Sequence, residues 1–121
     1  MDFDRIKNDY VYFSKSQRNC TRQIHDFIVE HIKEHYTIEE LAERFEISPT
    51  AMKRCFKGMY GAPVYAYLWT YRLQIAEKLL REGSLSVGEI ATEIGYTNPN
   101  KFTSAFRGEY GMTPTEYKKN V

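Results

Sequence analysis

Thr50, Ala51, Lys53, Arg54 and Lys57 follow the dipeptide Ser48-Pro49 at helical spacing. A second group, Asn98, Asn100, Lys101, Thr103, Ser104 and Arg107, surrounds and follows Asn98-Pro99 in the same way. Gathered on the outer face of a helix, these are side chains that a nucleic-acid groove engages. Lysine and arginine neutralise phosphates and donate to guanine O6 and N7. Asparagine pairs with two atoms of adenine, serine and threonine reach bases or phosphates, and a threonine methyl meets the thymine methyl. One good bidentate contact is worth roughly 1–3 kcal/mol of discrimination between bases. From Pro49 to Tyr60 there are three basic residues and no acidic one, and from Asn98 to Gly108 two basic residues and no acidic one. The stretch Ile38 to Glu46 instead carries Glu39, Glu40, Glu43 and Glu46 against Arg44 alone. The formal net charge is only +1, so the cationic character lies in this sorting between segments and not in the total.

Other chemistries find less support. The three histidines all fall between residues 25 and 35, and they are expected on the first helix. His31 and His35 would share a helix face at i and i+4, but no third metal ligand accompanies them. Cys20 and Cys55 read as two reduced, partly buried thiols. No glycine-rich phosphate loop and no nucleophile–base pair is evident. No enzyme activity, cofactor or metal is therefore expected. No apolar run approaches the roughly 20 residues that cross a bilayer, and no signal peptide opens the chain. The expected location is cytoplasmic.

The elements that would hold the two basic groups can be traced by periodicity and capping. Residues 1–20 read as an irregular N-terminal segment, with Asp9 to Phe13 as a short extended stretch and a remnant of a connection upstream. From about Thr21 to Glu34, Ile24, Phe27, Ile28, His31 and Ile32 mark a helix with one buried face. Thr37 and Glu40 form a capping box, opening a helix to about Phe45 that buries Ile38, Leu41, Ala42 and Phe45. Ser48 caps the next helix, with Pro49 in its first position. Met52, Cys55, Phe56 and Met59 form its inner face, and Gly61 ends it. A longer helix from about Pro63 to Arg81, roughly 28 Å at 1.5 Å per residue, repeats Val64, Leu68, Tyr71, Ile75 and Leu79 on one side. Ser86 and Glu89 form a second capping box, Gly95 marks a turn, and Asn98-Pro99 opens a helix with Phe102, Ala105 and Phe106 inward. Gly111 ends that helix, and Thr113 with Glu116 caps a last short one to about Lys119.

The two halves repeat at a separation of about 49–50 residues. Thr37, Glu40 and Ala42 answer to Ser86, Glu89 and Ala91. After a one-residue insertion, Pro49, Phe56, Gly58, Tyr60, Gly61 and Tyr67 answer to Pro99, Phe106, Gly108, Tyr110, Gly111 and Tyr117. Each half is a short helix, a tight turn and a second helix, the helix-turn-helix plan. The long helix between them would set two reading helices near the ~34 Å that separates successive major-groove faces, so that one chain reads adjacent groove segments. The alternative is a helical protein-interaction module, for which the ten tyrosines would supply the surface. Salt separates the two, since DNA binding weakens steeply with ionic strength.

The residues resemble the DNA-binding domain of the AraC-type transcription regulators over about Gln23 to Lys119. Gly95-Tyr96, Asn98, Phe102, Phe106, Gly111, Pro114 and Tyr117 fit that family's signature in order and spacing. Ile38 to Ala42, Ser48, Met52, Phe56 and Gly61 fit its first half, and Tyr67-Leu68 with Tyr71-Arg72 resemble its linker helix. The resemblance implies an all-α, seven-helix domain: a first subdomain over about 21–62, a linker helix over about 63–81 and a second subdomain over about 84–119. It implies regulation of transcription, by activation or repression, through double-stranded DNA. By position, Thr50, Ala51, Lys53 and Arg54 match the first base-reading set, and Pro99, Asn100, Lys101, Thr103 and Ser104 the second. Phosphate contacts are assigned to Ser48, Lys57, Arg72, Asn98 and Arg107. Further expected partners are RNA polymerase, through patches such as Glu39, Glu43 or Lys118, and an effector or dimerisation domain outside this chain. Three positions depart from the pattern. Glu46 stands where the second half has Gly95, at a cost of about 1 kcal/mol if the turn needs φ > 0. Trp69 and Ser104 stand where basic residues are common, so the second unit is expected to bind with weaker electrostatics.

Overall fold

The computed structural model describes residues 13–121. Among them are seven helices and no strand: α1 (Lys15–Glu30), α2 (Ile38–Arg44), α3 (Pro49–Tyr60), α4 (Val64–Glu82), α5 (Val87–Glu93), α6 (Pro99–Tyr110) and α7 (Pro114–Lys119). The extended stretch expected from Asp9 falls outside the described residues except for Phe13, which is buried.

Local capping chemistry accounts for most helix starts. Thr37, Ser86 and Thr113 each accept from the backbone N–H three residues on, and Glu40, Glu89 and Glu116 each accept from the cap's own N–H. Two donors that an isolated helix end would leave to water are thereby satisfied. α1 carries a fourth box, Ser14 with Gln17, so it begins at Lys15 and not near Thr21. Residues 15–20 are helical, contrary to the irregular segment expected over 1–20. Periodicity misses this turn because none of residues 15–20 is fully buried. Thr21 is completely buried because its hydroxyl donates back to the Gln17 carbonyl at 2.7 Å, which removes the cost of an unpaired group.

α1 also ends earlier than expected, at Glu30. His31 takes the C-cap, and both its backbone N–H and its Nδ1 bond to the Phe27 carbonyl. His31 and His35 therefore do not share a helix face, and His35 lies beyond the helix.

The chain divides into two compact units. Within the described residues the first comprises 13–31 and 36–68, with Ile24, Ile28, Leu41, Ala42, Met52, Cys55, Phe56, Val64 and Leu68 buried. Cys20 and Cys55 are free thiols in this unit. The Cys20 thiol donates to the Phe45 carbonyl at 3.3 Å, and burial pushes both thiols up. The second unit comprises 32–35 and 69–121, built on Leu73, Ala76, Leu80, Ile90, Ala91, Ile94, Phe102 and Phe106.

α4 contributes to both units in turn, and its buried stripe changes accordingly. Val64 and Leu68 are buried in the first unit, as expected. In the second the buried positions are Leu73, Ala76 and Leu80, while Ile75 and Leu79 are only partly buried. The single stripe expected through Tyr71, Ile75 and Leu79 is thus corrected: each core takes from the helix the face that meets it.

Candidate nucleic-acid interface

α3 and α6 are built alike. Ser48 caps α3 by accepting from the Ala51 N–H at 3.1 Å, and Asn98 caps α6 by accepting from the Asn100 N–H at 2.9 Å. A proline occupies the first turn of each, where its missing N–H costs nothing. Each ends on a left-handed glycine, Gly61 at φ 79° and Gly111 at φ 80°. Inward, Met52, Cys55 and Phe56 are buried on α3, and Phe102 and Phe106 on α6.

Three aromatic rings behind each helix repeat almost ring for ring. Phe56 meets Tyr60 at 4.8 Å and Tyr67 at 5.5 Å, and Phe106 meets Tyr110 at 4.5 Å and Tyr117 at 5.5 Å. The outer tyrosine hydroxyls are tied differently. Tyr67 shares a 2.8 Å hydrogen bond with His25 Nε2, while Tyr117 donates to Glu77 Oε2 at 2.8 Å. These clusters fix the rotation of each helix and so decide which residues look outward.

Outward on α3 stand Thr50, Lys53, Arg54 and Lys57, all exposed, with Ala51 partly so. Outward on α6 stand Pro99, Asn100, Lys101, Ser104 and Arg107, all exposed, with Thr103 partly so. Spacings of three and four residues put each set on one continuous face. No acidic residue lies in the first turn of either helix, and Lys57 and Arg107 lie in the last turns, where they also complement the helix dipole. The expected base-reading residues are therefore brought together as one face per unit. The capping bonds of Ser48 and Asn98 use only their side-chain oxygens.

Arg72, expected as a phosphate contact, has two of its donors engaged within the second unit. Its Nε donates to the Ile32 carbonyl at 3.1 Å and its NH2 group to the Glu34 carbonyl at 3.2 Å. The guanidinium is half-buried and desolvation lowers its pKa. Its donors fasten the 32–35 segment within the second unit, which His35 also does by donating from Nε2 to the Gly95 carbonyl at 2.6 Å. The carbonyls of 32 and 34 carry no sequence signal, so this use of Arg72 was not legible from residue types.

Two features were not anticipated. Phe13 packs against α3, where a Cβ on Gly58 would lie 2.5 Å from its Cε2, and Arg54 lies over its ring at 5.8 Å. Beside α6, Trp69 is exposed and borders a shallow recess of about 450 Å³ with Asn100, Lys101, Ser104 and Ala105. Among the described residues, no group of three or more His, Cys, Asp or Glu is placed to hold a metal, and no helix is long and apolar enough to cross a membrane.

Comparison with known proteins places this geometry. The family model described as a helix-turn-helix domain matches residues 41–120. The chain is 35% identical over 86 residues to the RCS-specific HTH-type transcriptional activator RclR of Escherichia coli, covering 71% of this chain and 30% of that protein. It is 27% identical over 115 residues to the probable transcriptional regulator LumQ of Photobacterium leiognathi, covering 93% of this chain and 46% of that one. The chain thus spans less than half the length of these relatives. Its fold is similar to the DNA-binding domain of AdpA, a global transcriptional factor solved in complex with a target DNA, with a TM-score of 0.77, 28% identity and coverage of 83% and 90% of the two chains. With this fold, these repeated faces and these relatives, the chain belongs to the AraC-type helix-turn-helix family.

Proposed function

We propose that this chain binds double-stranded DNA sequence-specifically and regulates transcription, each unit placing its second helix in the major groove. One observation carries the reading: the outer faces of α3 and of α6 as far as Gly108, in matching positions of two repeated units, are exposed and bear cations and amides with no carboxylate among them. Thr50, Ala51, Lys53 and Arg54 read bases in one half of the site. Pro99, Asn100, Lys101, Thr103 and Ser104 line the other half. Ser48, Lys57, Asn98 and Arg107 hold phosphates. In this reading the first subdomain spans about 21–62, the linker helix about 63–81 and the second subdomain about 84–119.

The partners follow from exposed groups. Glu39 and Glu43 are exposed on α2 and are suited to a basic patch of RNA polymerase. Lys118 is less available, since its Nζ donates to the Leu85 carbonyl. An effector or dimerisation domain is the further partner, as the relatives' greater length suggests.

The test is selection of tight binders from a random duplex library at about 0.15 M salt, where non-specific phosphate attraction is partly screened. Two conserved sequence blocks support a reading helix in each unit. Lys53→Ala or Arg54→Ala then relaxes preference in one block and Asn100→Ala or Lys101→Ala in the other, each by roughly 1–3 kcal/mol. One block alone means that only one unit reads bases. No enrichment with a folded protein overturns the reading in favour of a protein-interaction module.

A further inference from the structure

The proposed base-reading face of α6 has an apolar flank that amides and cations leave unused. Trp69, the single tryptophan of the chain, is 46% exposed. It is not loosely held. Its ring meets Tyr96 edge-on at 5.6 Å, and Tyr96 lies 5.5 Å from Phe102, which is fully buried. The indole is thus braced through a second aromatic ring against the core of its own unit. The recess it borders is completed by Ala105, Asn100, Lys101 and Ser104. The indole and the Ala105 methyl supply apolar lining. Lys101, Asn100 and Ser104 add an ammonium, an amide and a hydroxyl to the same lining, and no carboxylate lines it.

A partner that suits this lining carries negative charge for Lys101 and a small apolar knob for the indole and Ala105. In the major groove the thymine 5-methyl is that knob, and it lies within reach of a phosphate. Resting on the DNA-binding reading above, we propose that Trp69 is a specificity-determining residue of the second unit. Its indole and Ala105 seat a thymine methyl at the edge of the segment addressed by Asn100, Lys101 and Ser104. Burying the indole against DNA also removes exposed apolar surface from water, which favours the complex.

The experiment uses the full chain and a duplex recovered by selection. Binding is followed by anisotropy of a labelled duplex, and the Trp69 environment by its own fluorescence, which no other tryptophan obscures. On binding, Trp69 becomes shielded from acrylamide. Deoxyuridine is then placed at each thymine in turn, removing one methyl. At one position of the second block the wild-type chain loses roughly tenfold in affinity, the lower end for one apolar carbon in a pocket. Trp69→Ala binds the thymine duplex with a similar loss and is indifferent to deoxyuridine there, the coupling expected of two groups in contact. Trp69→Phe retains part of the discrimination. Binding with no change in Trp69 shielding overturns the inference and leaves DNA binding standing, as does a Trp69→Ala chain as sensitive to the missing methyl as wild type. Absence of any anisotropy change overturns DNA binding itself and this inference with it.

Discussion

The two turns between first and second helices have the same hydrogen bonds and different residues. In the first unit Glu46 N–H bonds to the Glu43 carbonyl at 3.2 Å and Ile47 N–H to the Ala42 carbonyl at 3.0 Å. In the second, Gly95 N–H bonds to the Thr92 carbonyl at 3.1 Å and Tyr96 N–H to the Ala91 carbonyl at 2.9 Å. Both satisfy the last helical carbonyls in the pattern that needs one left-handed residue. Gly95 supplies it at φ 92° and Glu46 at φ 55°. The departure read in the sequence is therefore real: the first turn does require a positive φ, and a glutamate adopts it. The neighbours explain why this is tolerated on one side only. Glu46 is exposed. A Cβ on Gly95 would lie 2.8 Å from the Lys33 carbonyl oxygen and 3.0 Å from that of Ile32. The same hydrogen-bond pattern thus tolerates a side chain at exposed Glu46 and excludes it at Gly95, where backbone carbonyls lie against the turn.

The largest test of this equivalence lies in the cores. Phe56→Ala and Phe106→Ala should each cost roughly 3–5 kcal/mol in urea unfolding, since both rings are fully buried among matched tyrosines. A large inequality between them would show that the repeated rings do not carry repeated loads. The turns come next. Gly95→Ala should cost roughly 2–4 kcal/mol, combining a disfavoured backbone with contact against carbonyls that cannot rotate away. Glu46→Gly should instead stabilise by about 0.5–1 kcal/mol. Equal and small effects at both positions would remove the contrast.

The paired glycines in the second helices give a smaller effect of opposite sign. Gly108 faces open space, whereas Gly58 is covered by Phe13. Gly108→Ala should gain about 0.5–1 kcal/mol from reduced backbone entropy loss. Gly58→Ala should lose stability, because the methyl displaces a buried ring. Thermal unfolding of the two variants checks the difference.

Acid provides the mildest discrimination. The Thr37 backbone N–H holds the Glu40 carboxyl below its usual range, the Ser86 N–H does so for Glu89, and the Thr113 side chain followed by its N–H does so for Glu116. A folded pKa below the unfolded one gives stability present above the unfolded value and lost as pH falls through the carboxylate range. Two of these caps lie in the second unit and one in the first, where α1 is instead capped by the uncharged Gln17. Amide exchange should therefore show α2, α5 and α7 fraying on acidification while α1 does not. Gln17→Glu should make α1 follow them.

The boundaries of α2, α3, α5, α6 and α7 were legible because a cap and its partner lie within three residues of each other. Their chemistry is complete before any tertiary contact forms. The repeat was legible for the same reason, its markers being caps, turn glycines and core aromatics. The start of α1 was recoverable from Ser14 and Gln17, but apolar periodicity carries no signal for a turn that buries none of its residues. The candidate base-reading faces were readable because burial of Phe56 and Phe106 dictates what their helices expose.

Other assignments were settled only by contacts between residues far apart in sequence. Arg72 reads as a free guanidinium, but the carbonyls of Ile32 and Glu34 take two of its donors from 40 and 38 residues away. The segment after α1 reads as helix until Gly95 and His35 hold it elsewhere. Phe13 on Gly58 and Trp69 beside Lys101 have no local signature at all. The sequence by itself determined where helices begin and which of their faces is apolar, since those depend on neighbours within one turn. Tertiary structure decided which polar groups remain free to bind, because a donor satisfied by a distant carbonyl looks the same in sequence as one left open to solvent.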